Sequence, residues 1–263
     1  MPDPHEGVAA DGTICTGARR DRVPPLFDPV VCEASGLVDG AAASLYVYGS
    51  VATGTARRAV SDIDLLSIGL HRAAELAQLL SRRYADLCRG VEIAAAEPAA
   101  FDGDSDEAYG NRVFLRHYCV HLAGPDPAAQ LAPFPADVRA ARGFNGDIDT
   151  HARRWRTQLA SETEDVAVVG TRVARKTLLA VAAMVSVHDR TWTTDRSLAA
   201  RRWGEIDPRL AAGLARLDSW AGRIEHPTRP EVEAVLDESG LVSEVVTRFR
   251  ELVGLWDDAS RHD

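Results

Sequence analysis

The stretch "YGSVATGTARRAVSDIDL", residues 48–65, completes and follows the run "SLYVY" (44–48). Aromatic and β-branched residues ending at Gly49 predict a buried strand and then a turn, and "SDIDLLSIGL" predicts a second strand. Side chains alternate along a strand, so Asp62 and Asp64 are expected on one face while Ile63 and Leu65 enter the core. Like charges on one face repel unless something positive stands between them.

Working outward, Leu76, Leu79, Leu80 and Leu87 recur at helical spacing in "HRAAELAQLLSRRYADLC" (71–88) and predict an amphipathic helix. "RGVEIAAAEP" (89–98) predicts a third strand in which Glu92 alternates with Val91 and Ile93. Glu97 is a nearby competitor, but it abuts Pro98 at the strand's end. A further short strand is expected in "VFLRHYCVHLAG" (113–124), which sets His117 and His121 on one face yet apart, a poor zinc site. The acidic run "DGDSDE" (102–107) reads as a solvated loop, with help in binding a cationic substrate as its alternative.

With 263 residues, 46% of them apolar, the chain can bury the cores of two domains. Its 39 acidic against 30 basic residues speak against a long basic groove for polymeric nucleic acid and leave room for a local cationic pocket. Cys15, Cys32, Cys88 and Cys119 show no CxxC spacing, and no signal-peptide layout opens the chain. No apolar run approaches the roughly 20 residues that span a bilayer. A cytoplasmic protein with free thiols and no membrane partner is expected.

Residues 1–25 mix Pro, Gly and charge and are expected to be a loose tail. The Pro-rich "GPDPAAQLAPFPADVRAARG" (124–143) marks a linker, beyond which strand signals fade. "SETEDVAVVGTRVARKTLLAVAAMVSV" (161–187) opens with a candidate capping box, Ser161 and Glu164, and is apolar on most sides, as a central bundle helix should be. Val242, Val245, Val246, Phe249, Leu252, Val253 and Trp256 form a late apolar stripe. The expected class is α+β: a catalytic domain over 26–130 with a small mixed sheet flanked by helices, then an all-α bundle over 145–263. Trp192 and Trp203 are expected in the core or at an interface.

Three carboxylates on one patch call for a hard divalent cation with oxygen ligands. Magnesium, held by one or two carboxylates and by substrate phosphates, suits an open patch of this kind. Gly49 and Ser50 offer those phosphates close backbone approach, N–H groups and a hydroxyl, and "SVATGT" would begin a helix whose positive end faces them.

"GS", eleven residues, "DID" and a later strand carboxylate resemble the DNA polymerase β-type nucleotidyltransferase superfamily. The layout is similar to the aminoglycoside adenylyltransferases that modify the antibiotics streptomycin and spectinomycin. "VHLAGPDP" (120–127) resembles the end of that group's catalytic domain, and "ARKTLLAVAAMVSVHDRTWTTDRSLAARRW" (174–203) its helical domain. The resemblance implies magnesium on Asp62 and Asp64, triphosphate on Gly49 and Ser50, and Glu92 as the acid that activates the acceptor hydroxyl and completes the carboxylate set. It also implies basic groups on the triphosphate from the helical domain, with Arg172, Arg175, Lys176 and Arg196 as candidates. The first three share a helix face at i, i+3 and i+4, which fits a solvated stripe equally well.

The expected reaction is magnesium-dependent transfer of a nucleoside monophosphate, AMP from ATP or its counterpart from another triphosphate, to a hydroxyl of a small acceptor in the cleft between the domains. Two metal ions would act, and pyrophosphate would leave. The rival keeps the fold and makes the chain a toxin–antitoxin-type nucleotidyltransferase acting on a protein or an RNA end. A silent nucleotide-binding module is the third reading, and three intact carboxylates count against it.

Overall fold

The computed structural model describes residues 3–38, 43–161 and 164–256. Residues 1 and 2 of the expected tail, 162 and 163 of the expected central-helix opening, and 257–263 of the expected bundle lie outside the described residues. By compactness the chain divides into two units. One holds the described residues up to Asp104 together with Asn111–Pro135, and the other holds Ser105–Gly110 together with those from Ala136 onward.

The first unit is built on a four-stranded mixed sheet in the order β5-β4-β3-β6. Its strands are β3 (Ser44–Tyr48), β4 (Ile63–Ile68), β5 (Val91–Ala96) and β6 (Val120–Ala123). A small hairpin, β1 (Gly7–Val8) and β2 (Ile14–Cys15), precedes them. β3 pairs antiparallel with both β4 and β6, and β4 pairs parallel with β5 through the crossover helix α3 (Ala73–Arg83). Strand alternation divides the sheet as the sequence suggests. Leu45, Val47, Ile63, Leu65 and Val91 enter a core with Val30, Val31 and Ala34 of α1 (Asp28–Val38) and Leu80 of α3. Tyr46, Leu66 and Ile68 face the other way and pack with Leu115 of α4 (Asp106–Tyr118). α2 (Gly49–Ala52) is the single turn of helix after β3.

Three expectations are corrected here. Residues 3–25 are not a loose tail: Ile14 is buried, its N–H donates to the Phe134 carbonyl at 2.9 Å, and the Tyr118 hydroxyl donates to Glu6 at 2.6 Å. Two buried apolar side chains, Ile14 and Val23, and a few long-range hydrogen bonds order a segment without periodicity. The single strand expected over 113–124 is instead the end of α4 followed by β6. The run "DGDSDE" is not wholly loop either. Ser105 Oγ accepts from the Ala108 N–H at 3.1 Å, and Asp106 and Glu107 fill the first helical turn, where carboxylates favour the helix dipole.

The second unit is helical: α5 (Val138–Asn145), α6 (Ile148–Ser161), α7 (Val166–Asp189), α8 (Arg196–Ile206), α9 (Ala211–Ala221), α10 (Arg229–Leu236) and α11 (Leu241–Leu252). α7 buries Val173, Ala174, Leu178, Val181 and Met184, as an all-round apolar helix must. Its cap is not the Ser161–Glu164 box. Asp165 accepts from the N–H groups of Ala167 (2.7 Å) and Val168 (3.2 Å), while Ser161 closes α6 by bonding the Gln158 carbonyl. Asp165 directly precedes the apolar run and offers the shorter reach. Val242, Val245, Val246 and Phe249 of the late stripe are buried on α11, and Trp192 and Trp203 are buried as expected.

The first residues of α4 join this second unit. Gly110 and Gly143 meet so closely that a Cβ on Gly110 would lie 2.3 Å from the Gly143 carbonyl oxygen, so only glycine fits. Asp106 accepts from Arg142 Nε at 2.6 Å and Nη2 at 3.2 Å in a mostly buried fork.

Candidate functional site

Antiparallel β3–β4 pairing sets Tyr48 opposite Asp64, and parallel β4–β5 pairing sets Asp64 beside Glu92. The register therefore carries Tyr48, Asp64 and Glu92 as a row across three strands, on the face opposite the Ile63–Leu65 core. Burial raises the Tyr48 phenol well above its ordinary value, and the Asp64, Cys119 and Glu92 groups push in the same direction. Tyr48 thus stays a neutral phenol beside the two acids.

Gly49 opens α2 with φ +68°, and a Cβ there would stand 2.6 Å from Asp64 Oδ2. Only glycine turns the chain in this sense while letting the carboxylate lie against the backbone. Ser50 follows within the same turn, and its carbonyl accepts from the N–H groups of Thr55 (2.9 Å) and Ala56 (3.0 Å), which closes the loop behind it. The Gly49 turn and the Asp64 carboxylate are therefore near neighbours.

Asp62 behaves differently. β4 begins at Ile63, so Asp62 stands one residue before the strand rather than within it. Its carboxylate takes a fork from Arg89, with Nε to Oδ1 at 2.9 Å and Nη2 on Oδ2. The positive group that the sequence required is thus an arginine. Sequence reasoning missed it, although parallel pairing of the strand starts sets Ser61 opposite Arg89, whose N–H donates to the Ser61 carbonyl at 3.1 Å. The hydrogen bonds that Arg89 donates to Asp62, together with the fields of Asp62, Glu92 and Asp64, hold the guanidinium charged.

Residues 31–101 match the family model of the nucleotidyltransferase domain. The matched span contains β3, β4, β5, the Gly49–Ser50 turn, Asp62, Asp64 and Glu92 but not β6, and it supports a transferase enzyme whose substrate includes a nucleoside triphosphate. A comparison with curated proteins returned no match.

Nucleotidyltransferase domains use a divalent metal, and the residues present fit one in donor type: Asp64, Glu92 and Asp62 offer only the carboxylate oxygens that hard cations prefer. They are not gathered to receive it. Among the described residues no three His, Cys, Asp or Glu side chains are grouped as metal ligands, and Asp62 is the member held elsewhere. Glu97 stands just before the 3-10 turn Pro98–Phe101, past the end of β5 and five positions from Glu92, and its side chain makes no capping bond.

The basic candidates belong to the second unit, and each is engaged there. Arg172 pairs with Glu164, Arg175 Nε donates to the Ala221 carbonyl at 3.2 Å, and Lys176 bonds the Phe144 carbonyl at 3.1 Å and Asp147 at 2.7 Å. Arg196 is the first residue of α8, because Asp195 caps that helix through Ser197 and Leu198. Burial works against the Arg196 charge, while Asp218 and Asp195 favour it. His117 sits on α4, its Nε2 accepting from the Phe134 N–H at 2.8 Å, and His121 Nε2 bonds the Gly124 carbonyl at 3.0 Å. Both imidazoles have structural partners.

Proposed function

We propose that the chain transfers a nucleoside monophosphate, AMP from ATP, to a hydroxyl of a small acceptor. The observation that carries this reading is the Asp64–Glu92 pair in register on adjacent strands, with the Gly49–Ser50 turn against Asp64, inside the span that matches the nucleotidyltransferase domain. When bound at the carboxylates, magnesium would supply charge neutralisation at the phosphates and a lower pKa for the acceptor oxygen.

This chain's own residues would do the rest. Asp64 and Asp62 provide the cation's oxygens. Backbone N–H groups of the Gly49–Ser50 turn and the Ser50 hydroxyl hold the triphosphate. Glu92 takes the hydroxyl proton as the acceptor oxygen forms its bond to the α-phosphorus. The bridging bond to the β-phosphate breaks, and pyrophosphate carries that electron pair away. Aminoglycosides are the favoured acceptors, because polycationic hydroxyl compounds suit an acidic chain with formal net charge -9.

The test is to incubate the protein with labelled ATP, magnesium and a panel of aminoglycosides and other polyols, following pyrophosphate release and product mass. A labelled small molecule supports the reading. Label on a protein or an RNA end would replace the acceptor with the macromolecular one, and no release with any acceptor would end the proposal.

A further inference from the structure

The carboxylate row carries an electrostatic cost. Asp64 and Glu92 are like charges side by side on paired strands, and Asp62 adds a third two residues earlier. Arg89 is built to meet that cost. Its N–H donates to Ser61 and the next carbonyl, of Gly90, accepts from Ile63 at 2.9 Å, so the segment bearing Arg89 is pinned beside Asp62 where the two strands begin. The fork uses both Asp62 oxygens.

We propose that Arg89 is a resident counter-ion that holds Asp62 out of the divalent-cation site, so that cation binding proceeds by exchange: the guanidinium leaves Asp62 as the cation arrives. The inference rests on the proposed reading of the site. Exposure makes the exchange inexpensive, since the Arg89 side chain is 49% exposed and can leave into water, while Asp62, 18% exposed, stays where it is. A pair open to solvent on one side contributes little, whereas a divalent cation shared with Asp64 gains from two carboxylates at once. Arg89 is then the residue that sets the cation concentration at which the enzyme becomes active. The guanidinium also explains how three acids coexist in a folded protein before any cation is bound.

The experiment uses the full chain without nucleotide. Arginine Nε–H signals are followed by NMR during a magnesium titration, the Arg89 signal being assigned by its loss in Arg89→Lys. That signal should be protected from exchange at the start, then shift and lose protection with the midpoint that calorimetry gives for magnesium. An Arg89 signal that stays protected through saturation overturns the proposal. In a second arm, Arg89→Gln should bind manganese, read by electron paramagnetic resonance, about fivefold tighter than the parent, the gain expected from releasing a partly exposed pair of about 1 kcal/mol. Equal or weaker binding overturns it. Asp64→Asn separates the two levels: if that variant binds either cation like the parent, the cation lies elsewhere, and the site reading fails together with this proposal.

Discussion

Replacing Gly49 by alanine tests the link between turn and carboxylate. Alanine at φ +68° costs about 1 kcal/mol of backbone strain relative to glycine. Its Cβ would meet Asp64 Oδ2 at 2.6 Å, and restoring an ordinary contact of 3.4 Å requires the carboxylate to move by the difference, about 0.8 Å. Asp64 ends in a short rotatable group, so it can move, and the fold should survive with a loss of about 1 to 2 kcal/mol, seen as a fall of a few degrees in Tm. Chemistry should suffer more, because a misplacement of this size can cost ~10²-fold in rate. Turnover is measured as pyrophosphate release from labelled ATP with the best acceptor. Ser50→Ala provides the comparison, keeping the backbone and losing one hydrogen bond for a fall of about tenfold or less. Parent-like turnover in Gly49→Ala would refute the reasoning, since Asp64 would then have no need of the position that the glycine allows.

Asp64→Asn should abolish transfer while the protein melts at or above the parent temperature without magnesium, because one charge of a repelling pair is removed; normal turnover excludes Asp64 from the site. Glu92→Gln should still bind magnesium and ATP by calorimetry but turn over ~10² to 10⁴-fold more slowly, and lost nucleotide binding would make Glu92 a ligand rather than a base. His117 provides the pH dependence. Burial, with Arg116 close by, holds its imidazole down at about 4 against an ordinary 6.5, so the unfolded chain takes up the proton first as pH falls. The stabilisation is complete above about pH 6.5 and is lost progressively down to about pH 4, so the advantage of the parent over His117→Gln in melts should shrink from about pH 7.5 to about pH 5. An advantage equal at both pH values rules this out.

The sheet was legible because its information is local and periodic. Ile63 and Leu65 alternate with Asp64, Val91 alternates with Glu92, and each apolar member enters the predicted core. Asp62 illustrates the limit, since alternation gives it a face but not a partner, and the partner that decides its state comes from 27 residues away. α4 was hidden for another reason. Phe114, Leu115, Tyr118 and Val120 read as one β-prone run, while the helix signal lay upstream in Ser105, Asp106 and Glu107, residues that equally suit a loop. The start of α8 at Arg196 was likewise set by a cap one residue away, Asp195, which sequence reading left unused.

α4 also bears on how the polypeptide comes to be made. Ser105–Gly110 emerges from the ribosome ahead of the last strand of the sheet unit, yet its partners, Arg142 and Gly143, are synthesised some thirty residues later. The sheet unit can close first around this segment and must hold it open for helices still to come. A single cut after Pro135 would strand the segment on the wrong piece, leaving Arg142 without Asp106 and baring the glycine surface of α5. Exchange of the C-terminal part between related chains would therefore have to carry two stretches of gene rather than one.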